Sequence, residues 1–312
     1  MPRRRQHGLN VAANDQRTCR QVAKSKAPAL DSLAASRYYG AVTRIVQGVA
    51  VPSIFYGTAW KEERTAELTQ LALEAGFSAI DTANQRKHYF EAAVGQAVAR
   101  SRTARSELFL QSKFTYVRGQ DHRLPYDPKA PFAEQVRQSL ASSLEHLGTD
   151  YLDSYILHGP ASHGRLVDAD WEVWSAMEEL QRANKVRLLG VSNVELEQLR
   201  ALCEKARPAF VQNRCYASHG WDREVREFCR DNDVVYQGFS LLTANRAQLT
   251  APPVTRAAAR TGRTAAQVIF AFAKQVGMIP LTGTSDPTHM KQDLERFELR
   301  DDEVTAIERI CG

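Results

Sequence analysis

The sequence predicts an α/β fold, a closed (β/α)8 or TIM barrel, and three observations lead to it. From about residue 50, short apolar or β-branched runs alternate with longer segments of helical period, the pattern of βα units. Eight such units can be counted, the number that closes a parallel sheet on itself. No linker-like stretch interrupts the body, so residues 41–312 read as a single barrel domain.

Strands are expected near 52–57, 77–81, 108–112, 152–157, 186–191, 208–211, 233–238 and 277–281. The helices that follow are expected near 62–75, 91–100, 132–147, 170–184, 195–206, 221–231, 264–276 and 287–294. Leu68, Leu71, Ala72 and Ala75 recur at helical spacing, and Gly76 stops that helix before the strand GFSAID. Asp301 and Asp302 suit the positive end of one extra C-terminal helix, 303–310, outside the eight repeats. In the segment 241–254, Pro252 and Pro253 are expected to prevent helix continuation.

Composition excludes several function classes. With 43% hydrophobic and 25% charged residues, the chain is neither disordered nor collagenous. No apolar run approaches the roughly 18–20 residues of a membrane-spanning helix, and mean hydropathy is −0.42. The net charge of +5 invites a nucleic-acid reading, but residues 1–40 hold eight basic and two acidic residues. The remainder carries 33 basic against 34 acidic residues, which removes the electrostatic footprint of a DNA-binding body. Residues 1–40 read as a basic, disordered extension; a transit peptide is compatible with the same composition. Five scattered cysteines without a CxxC spacing argue against a disulfide framework or a metal site and for a reducing, cytoplasmic location.

No GxGxxG, GxxxxGK[ST] or HExxH occurs, and GVSNV at 190–194 lacks the second Gly of a nucleophile elbow. Chemistry in a βα barrel sits at the C-terminal ends of the strands. The second strand ends in Asp81, followed by Thr82, Ala83 and Asn84; the third ends in Ser112 and Lys113, and the fourth in His158. The fifth delivers Ser192 and Asn193, the sixth Gln212 and Asn213, the seventh Phe239 and Ser240. Singly, each has a plain reading: Asp81 as a helix cap, Lys113 as a solvated loop residue, His158 as a turn histidine before Pro160. A carboxylate, an ammonium and an imidazole on successive strand ends point together to a catalytic site.

With those residues in place, the chain from about residue 42 onward resembles the aldo-keto reductase superfamily. GVAVPSIFYGTAW at 48–60 resembles that family's opening hairpin and first strand, and GFSAIDTA at 76–83 the strand of its catalytic Asp. LFLQSKF at 108–114 resembles the strand of the catalytic Lys, YLDSYILHGP at 151–160 that of the catalytic His, and KVRLLGVSN at 185–193 the segment that binds the nicotinamide carboxamide. The resemblance implies hydride transfer from a reduced nicotinamide to an aldehyde or ketone. A tyrosine would donate the proton, Lys113 would stabilise its phenolate, Asp81 would hold Lys113, and His158 would polarise the carbonyl.

The tyrosine departs from the family pattern. Five residues after Asp81 stands Arg86, and DTANQRKHYFEAAVG at 81–95 carries a short insertion, after which Tyr89 is the expected proton donor and His88 the alternative. The cofactor is expected on Gly57, Thr58 and Asp81, on Ser192, Asn193 and Gln212, on Phe239, Ser240 and Leu242, and on Thr282, Gly283 and Thr284. His289, Gln292 and Asp293 complete that set. Leu281 and His289 occupy slots where relatives specific for the 2′-phosphorylated cofactor have Lys and Arg; NADP is preferred from the resemblance, with NAD as the alternative.

Trp60, His88 and Phe114 are the expected substrate residues, and the long third loop, 114–131, is expected to form part of the binding surface. Without a long C-terminal cover after the last helix, the pocket is expected to be open and to accept bulky carbonyl compounds. The expected partner is such a small molecule, without nucleic acid or membrane, and the expected state a monomer or weak homo-oligomer. A slow nucleotide-binding regulatory barrel and an alcohol or sugar dehydrogenase running the reverse reaction are the alternatives.

Overall fold

The computed structural model describes residues 43–310, so the expected extension at 1–40 lies outside the described residues. The first elements form a hairpin, β1 (Thr43–Val46) and β2 (Val49–Pro52), paired Val46 to Val49. Gln47 and Gly48 connect them with φ of 47° and 83°. Two positive φ angles give a two-residue turn whose twist matches the flanking strands, which is why a glycine stands there.

Eight parallel strands then close a barrel: β3 (Phe55–Gly57), β4 (Ala79–Asp81), β5 (Phe109–Phe114), β6 (Leu152–Leu157), β7 (Val186–Ser192), β8 (Phe210–Arg214), β9 (Val235–Phe239) and β10 (Ile279–Thr282), with β10 returning to β3. All eight expected strands are present, with ends displaced by up to three residues. The expected helices are present as well, for example Thr65–Ala75, Glu91–Arg100 and Phe132–Leu147. Gly76, at φ 110°, ends the first of these, with its N–H on the Leu73 carbonyl. Thr264 and Gln267 exchange side chain-to-backbone bonds at the start of Ala265–Gln275, a reciprocal cap. The extra C-terminal helix runs Asp301–Glu308.

One expectation is corrected. Pro252 and Pro253 do not stop a helix; they begin one, Pro252–Thr261. The first turn of a helix has no intrahelical acceptor for its N–H groups, so a proline there loses nothing, and its fixed φ is already helical.

The period-2 alternation of the strands divides the core in two. Inward residues Phe55, Ala79, Phe109, Ile156, Leu188, Phe210, Val235 and Ile279 fill the lower barrel, and Val46, Val49 and Val51 of the hairpin close its N-terminal end. Outward residues such as Leu110, Leu157 and Val211 pack under the helices. Gly190 is an inward position where a Cβ would lie 2.5 Å from Ile156 and 2.8 Å from the Phe210 carbonyl, so the filled interior leaves room only for glycine. Continuing upward along the same inward rows, the side chains turn from apolar to polar at the C-terminal end.

Candidate active site

On β5 the inward row reads Phe109, Gln111, Lys113. Lys113 is fully buried and its Nζ lies 2.7 Å from both carboxylate oxygens of Asp81, at the end of β4, and 2.8 Å from the Thr82 carbonyl. Burial lowers the Lys113 ammonium from its usual range, with the Asp81 charge opposing that shift. The ion pair is therefore held by three acceptors in a dry environment, where one partner without the other would be strongly unfavourable.

Tyr89 lies over this pair. Lys113 Nζ is 5.2 Å from the centroid of its ring, and the His158 ring is 5.9 Å away in an edge-on arrangement. Burial, then the negative charge of Asp81, push the Tyr89 phenol above its ordinary range, so it is protonated at neutral pH. His158, one residue past β6, is pushed down to about 3 by burial and by Lys113 and His88, and is a neutral imidazole. Its Nδ1 meets the Thr115 hydroxyl at 2.7 Å.

The segment that carries Tyr89 is pinned at several points. Tyr89 N–H donates to the Gln85 carbonyl, Asn84 Nδ2 to the Ser139 carbonyl, Gln85 Nε2 to the Gly119 carbonyl, and Gln120 Nε2 to the Asn84 carbonyl. His88 sits further out, its ring 3.9 Å from that of Trp60, which is 67% exposed at the rim.

Asp81, Tyr89, His158, His88 and Trp60 line a cavity of about 600 Å3 together with Ser192, Asn193, Gln212 and Phe239, and Lys113 lies behind its wall. Gly57, Ser240, Leu242, Thr282, Gly283 and Thr284 form the rest of the expected wall. Trp60, Asn193 and Ser240 hold φ near 60°, 51° and 57°, the kind of backbone strain that collects at working sites. Ser192 Oγ donates to the Gln212 carbonyl and accepts from Asn193 Nδ2, which also reaches the His158 carbonyl. A larger cavity, about 1170 Å3, opens at the N-terminal ends of β8, β9 and β10, but none of the grouped acid, base or amide residues reaches it.

Several expected residues lie elsewhere. Phe114 does not face the mouth: it is the residue after inward Lys113, so alternation turns it outward, where it is fully buried against Tyr116 and Tyr126. The long third loop contributes nothing to the cavity wall, because its aromatics pack under the helices in the same way. Thr58 is buried beneath the wall, its N–H and hydroxyl both on the Asp81 carbonyl at 3.0 Å. His289 is exposed on the helix Pro287–Leu294 and outside the cavity. Gln292 and Asp293 border a separate cavity between helices, and Asp293 reaches the site only through the Thr282 hydroxyl, which donates to it at 2.7 Å.

Sequence reasoning passed over Lys61, Arg214 and Thr115. Lys61 lines the cavity beside Gly283 and Thr284 and donates to the Gly283 carbonyl. Arg214, at the end of β8, lies 5.5 Å from the Phe239 ring centroid. Both follow the strand-end rule that located the other site residues, and Thr115 stands two residues after Lys113; position was the available signal.

The site's residues fit a nicotinamide: Gln212 exposes an amide oxygen that no protein donor takes among the described residues, beside the flat face of Phe239 on the same wall. Comparison with known proteins agrees with that chemistry. The model of the Aldo/keto reductase family matches residues 53–311. The chain is 32% identical over 264 residues to an aldo-keto reductase of Mycolicibacterium vanbaalenii, covering 83% of this chain and 88% of that one. It is 28% identical over 287 residues to NADPH-dependent codeinone reductase 1-2 of Papaver somniferum, covering 83% and 84%. Among solved structures it is similar to an aldo/keto reductase of Brucella melitensis, with 25% identity, a TM-score of 0.73, and coverage of 86% of this chain and 99% of that one.

Proposed function

From the premise that the chain belongs to the aldo/keto reductase family, and so is an NAD(P)H-dependent oxidoreductase, we propose that it reduces a bulky aldehyde or ketone with Tyr89 as proton donor and NADPH as the preferred cofactor. The single observation that carries the assignment is the buried Asp81–Lys113 pair with its ammonium 5.2 Å from the Tyr89 ring.

The reduced nicotinamide supplies a hydride when bound. Phe239 offers it a stacking face, while Ser192, Asn193 and Gln212 orient its carboxamide so that one ring face meets the substrate. The carbonyl oxygen lies between Tyr89 and His158. His158, neutral, donates a hydrogen bond from Nε2 and draws electron density toward that oxygen. Tyr89 passes its phenolic proton to the oxygen as negative charge develops there, and the Lys113 ammonium stabilises the phenolate that remains. Asp81 keeps Lys113 from turning away. Lys61, beside Gly283 in the cavity wall, would hold the cofactor's phosphates, with the Thr282–Thr284 backbone supplying further donors. Exposed Trp60, stacked on His88, gives the substrate an aromatic platform at an open rim.

Following the absorbance of NADPH and NADH against a panel of aldehydes and ketones tests the reading. Faster turnover of ring-bearing carbonyls with NADPH is expected. Strict preference for a two- or three-carbon aldehyde would overturn the substrate class, and tight cofactor binding without turnover of any carbonyl or alcohol would overturn the activity.

A further inference from the structure

Beneath the ion pair lies a lattice of three amides. Gln111, Gln212 and Gln237 occupy inward positions on β5, β8 and β9, and each is 3% exposed or less. Gln111 Nε2 donates to Asp81 Oδ1 at 2.7 Å and to Gln237 Oε1 at 2.9 Å, and Gln237 Nε2 returns a bond to Gln111 Oε1 at 3.1 Å. Gln212 Nε2 donates to the same two acceptors, Asp81 Oδ1 at 3.0 Å and Gln237 Oε1 at 2.9 Å.

The direction of every bond follows from one charge. A carboxylate bridged by an ammonium only accepts, so the amides of Gln111 and Gln212 must turn their N–H groups toward it. Each then has a second N–H to place, and the Gln237 oxygen takes both. Gln212 is left with no N–H to offer and with its oxygen toward the cavity. Rotating the Gln212 amide by half a turn would set its oxygen against both the Asp81 carboxylate and the Gln237 oxygen, two acceptors facing a third.

We propose that Gln237, together with Gln111, is a positioning residue that locks the Gln212 amide with its oxygen outward, so that the site reads the N–H of a nicotinamide carboxamide. The inference rests on the functional reading above. It gives Gln237, which does not line the cavity, control over how the cofactor ring is held and ties that control to the Asp81–Lys113 pair.

The test is a comparison of NADPH with its reduced 3-acetylpyridine counterpart, in which a methyl replaces the carboxamide NH2. Both are titrated into wild type and Gln237→Met by quenching of protein fluorescence, with thermal melts alongside. Wild type is expected to favour NADPH by roughly tenfold, the worth of one hydrogen bond in a dry site. In Gln237→Met that ratio is expected to fall to about threefold, because one of the two acceptors that hold the Gln212 N–H groups is gone and only Asp81 Oδ1 still opposes a turn of the amide. A folded variant that keeps the wild-type ratio overturns the proposal, as does a lower melting temperature with the ratio intact.

Should the variant not fold, the side-chain amide resonance of Gln212 in wild type answers the same question. Slow exchange of both protons is expected before and after adding NADPH, since both N–H groups face the protein. Exchange as fast as that of a solvent-exposed amide overturns the orientation. Absence of any NADPH or NADH binding by wild type would sink the functional reading itself, whereas binding with an unchanged ratio sinks only the role of Gln237.

Discussion

The Thr115 hydroxyl lies 2.7 Å from Nδ1 of His158, and Thr115 is only 6% exposed. A buried hydroxyl that merely accepted would leave its own proton unpaired, so Thr115 donates to Nδ1 and the imidazole carries its proton on Nε2. That is the tautomer able to donate to a carbonyl oxygen. Thr115→Val is expected to lower kcat about tenfold with little change in KM, and Thr115→Ser to restore it. Ring 15N shifts of His158 would show the tautomer directly; an unaltered kcat in the valine variant would remove Thr115 from this role.

Tyr89 and His88 compete for the proton-donor role in sequence, and the fold sets them in different surroundings. Tyr89 stands over Lys113, while His88 is stacked on Trp60 at the rim. Tyr89→Phe is expected to reduce kcat by about 10² to 10⁴, the range for loss of a positioned acid. His88→Ala is expected to act mainly on KM. Steady-state kinetics on both variants decides between them, and survival of activity in Tyr89→Phe with loss in His88→Ala would reverse the assignment.

Lys61 lines the end of the cavity formed by Gly283 and Thr284, and burial lowers its ammonium from the usual range, with Arg64 acting in the same direction. A bound phosphate would offset both effects. Lys61→Met is expected to raise the Kd for NADPH by about tenfold and to flatten its dependence on salt, as removal of one charge-assisted contact requires. Titrations at low and high ionic strength provide the check; equal salt slopes in the two proteins would show that Lys61 does not meet the phosphates.

Asp293 is 4% exposed, and burial pushes its carboxyl up to about 6, with the Thr282 hydroxyl, His289 and Lys274 opposing. A folded-state value above that of the unfolded chain means the fold binds this proton more tightly. The resulting stability is full below the ordinary Asp value of about 3.9 and is lost as pH rises through about 6. Asp293→Asn keeps an acceptor for Thr282 without the buried charge. It is therefore expected to stabilise the protein at pH 8, by at most about 3 kcal/mol, and to leave stability near pH 4 unchanged. Urea unfolding at the two pH values measures this, and destabilisation at pH 8 would show that the ionised carboxylate is worth more than its burial costs.

Much of the fold was legible because it repeats. Each βα unit carries its own period and its own stops, so errors in one do not propagate, and Asp81, Lys113 and His158 could be located from strand ends alone. Residues one step away were not. Phe114 follows Lys113, and a single residue of alternation separates the barrel interior from the layer under the helices. The helix starting at Pro252 was missed because a proline blocks a helix interior yet suits its first turn, and the sequence does not say which position it will occupy.

The sequence by itself determined the order of the strands and the residue types at their C-terminal ends, since these depend on local period, and through the family resemblance those residues carry it pointed to the class of chemistry. Only closure of the barrel decided which of those residues meet. Gln111 and Gln237 lie 126 positions apart in the chain and 2.9 Å apart in the fold. Their pairing depends on the shear of the barrel, which sets the height of each inward row relative to its neighbours and which no local pattern encodes.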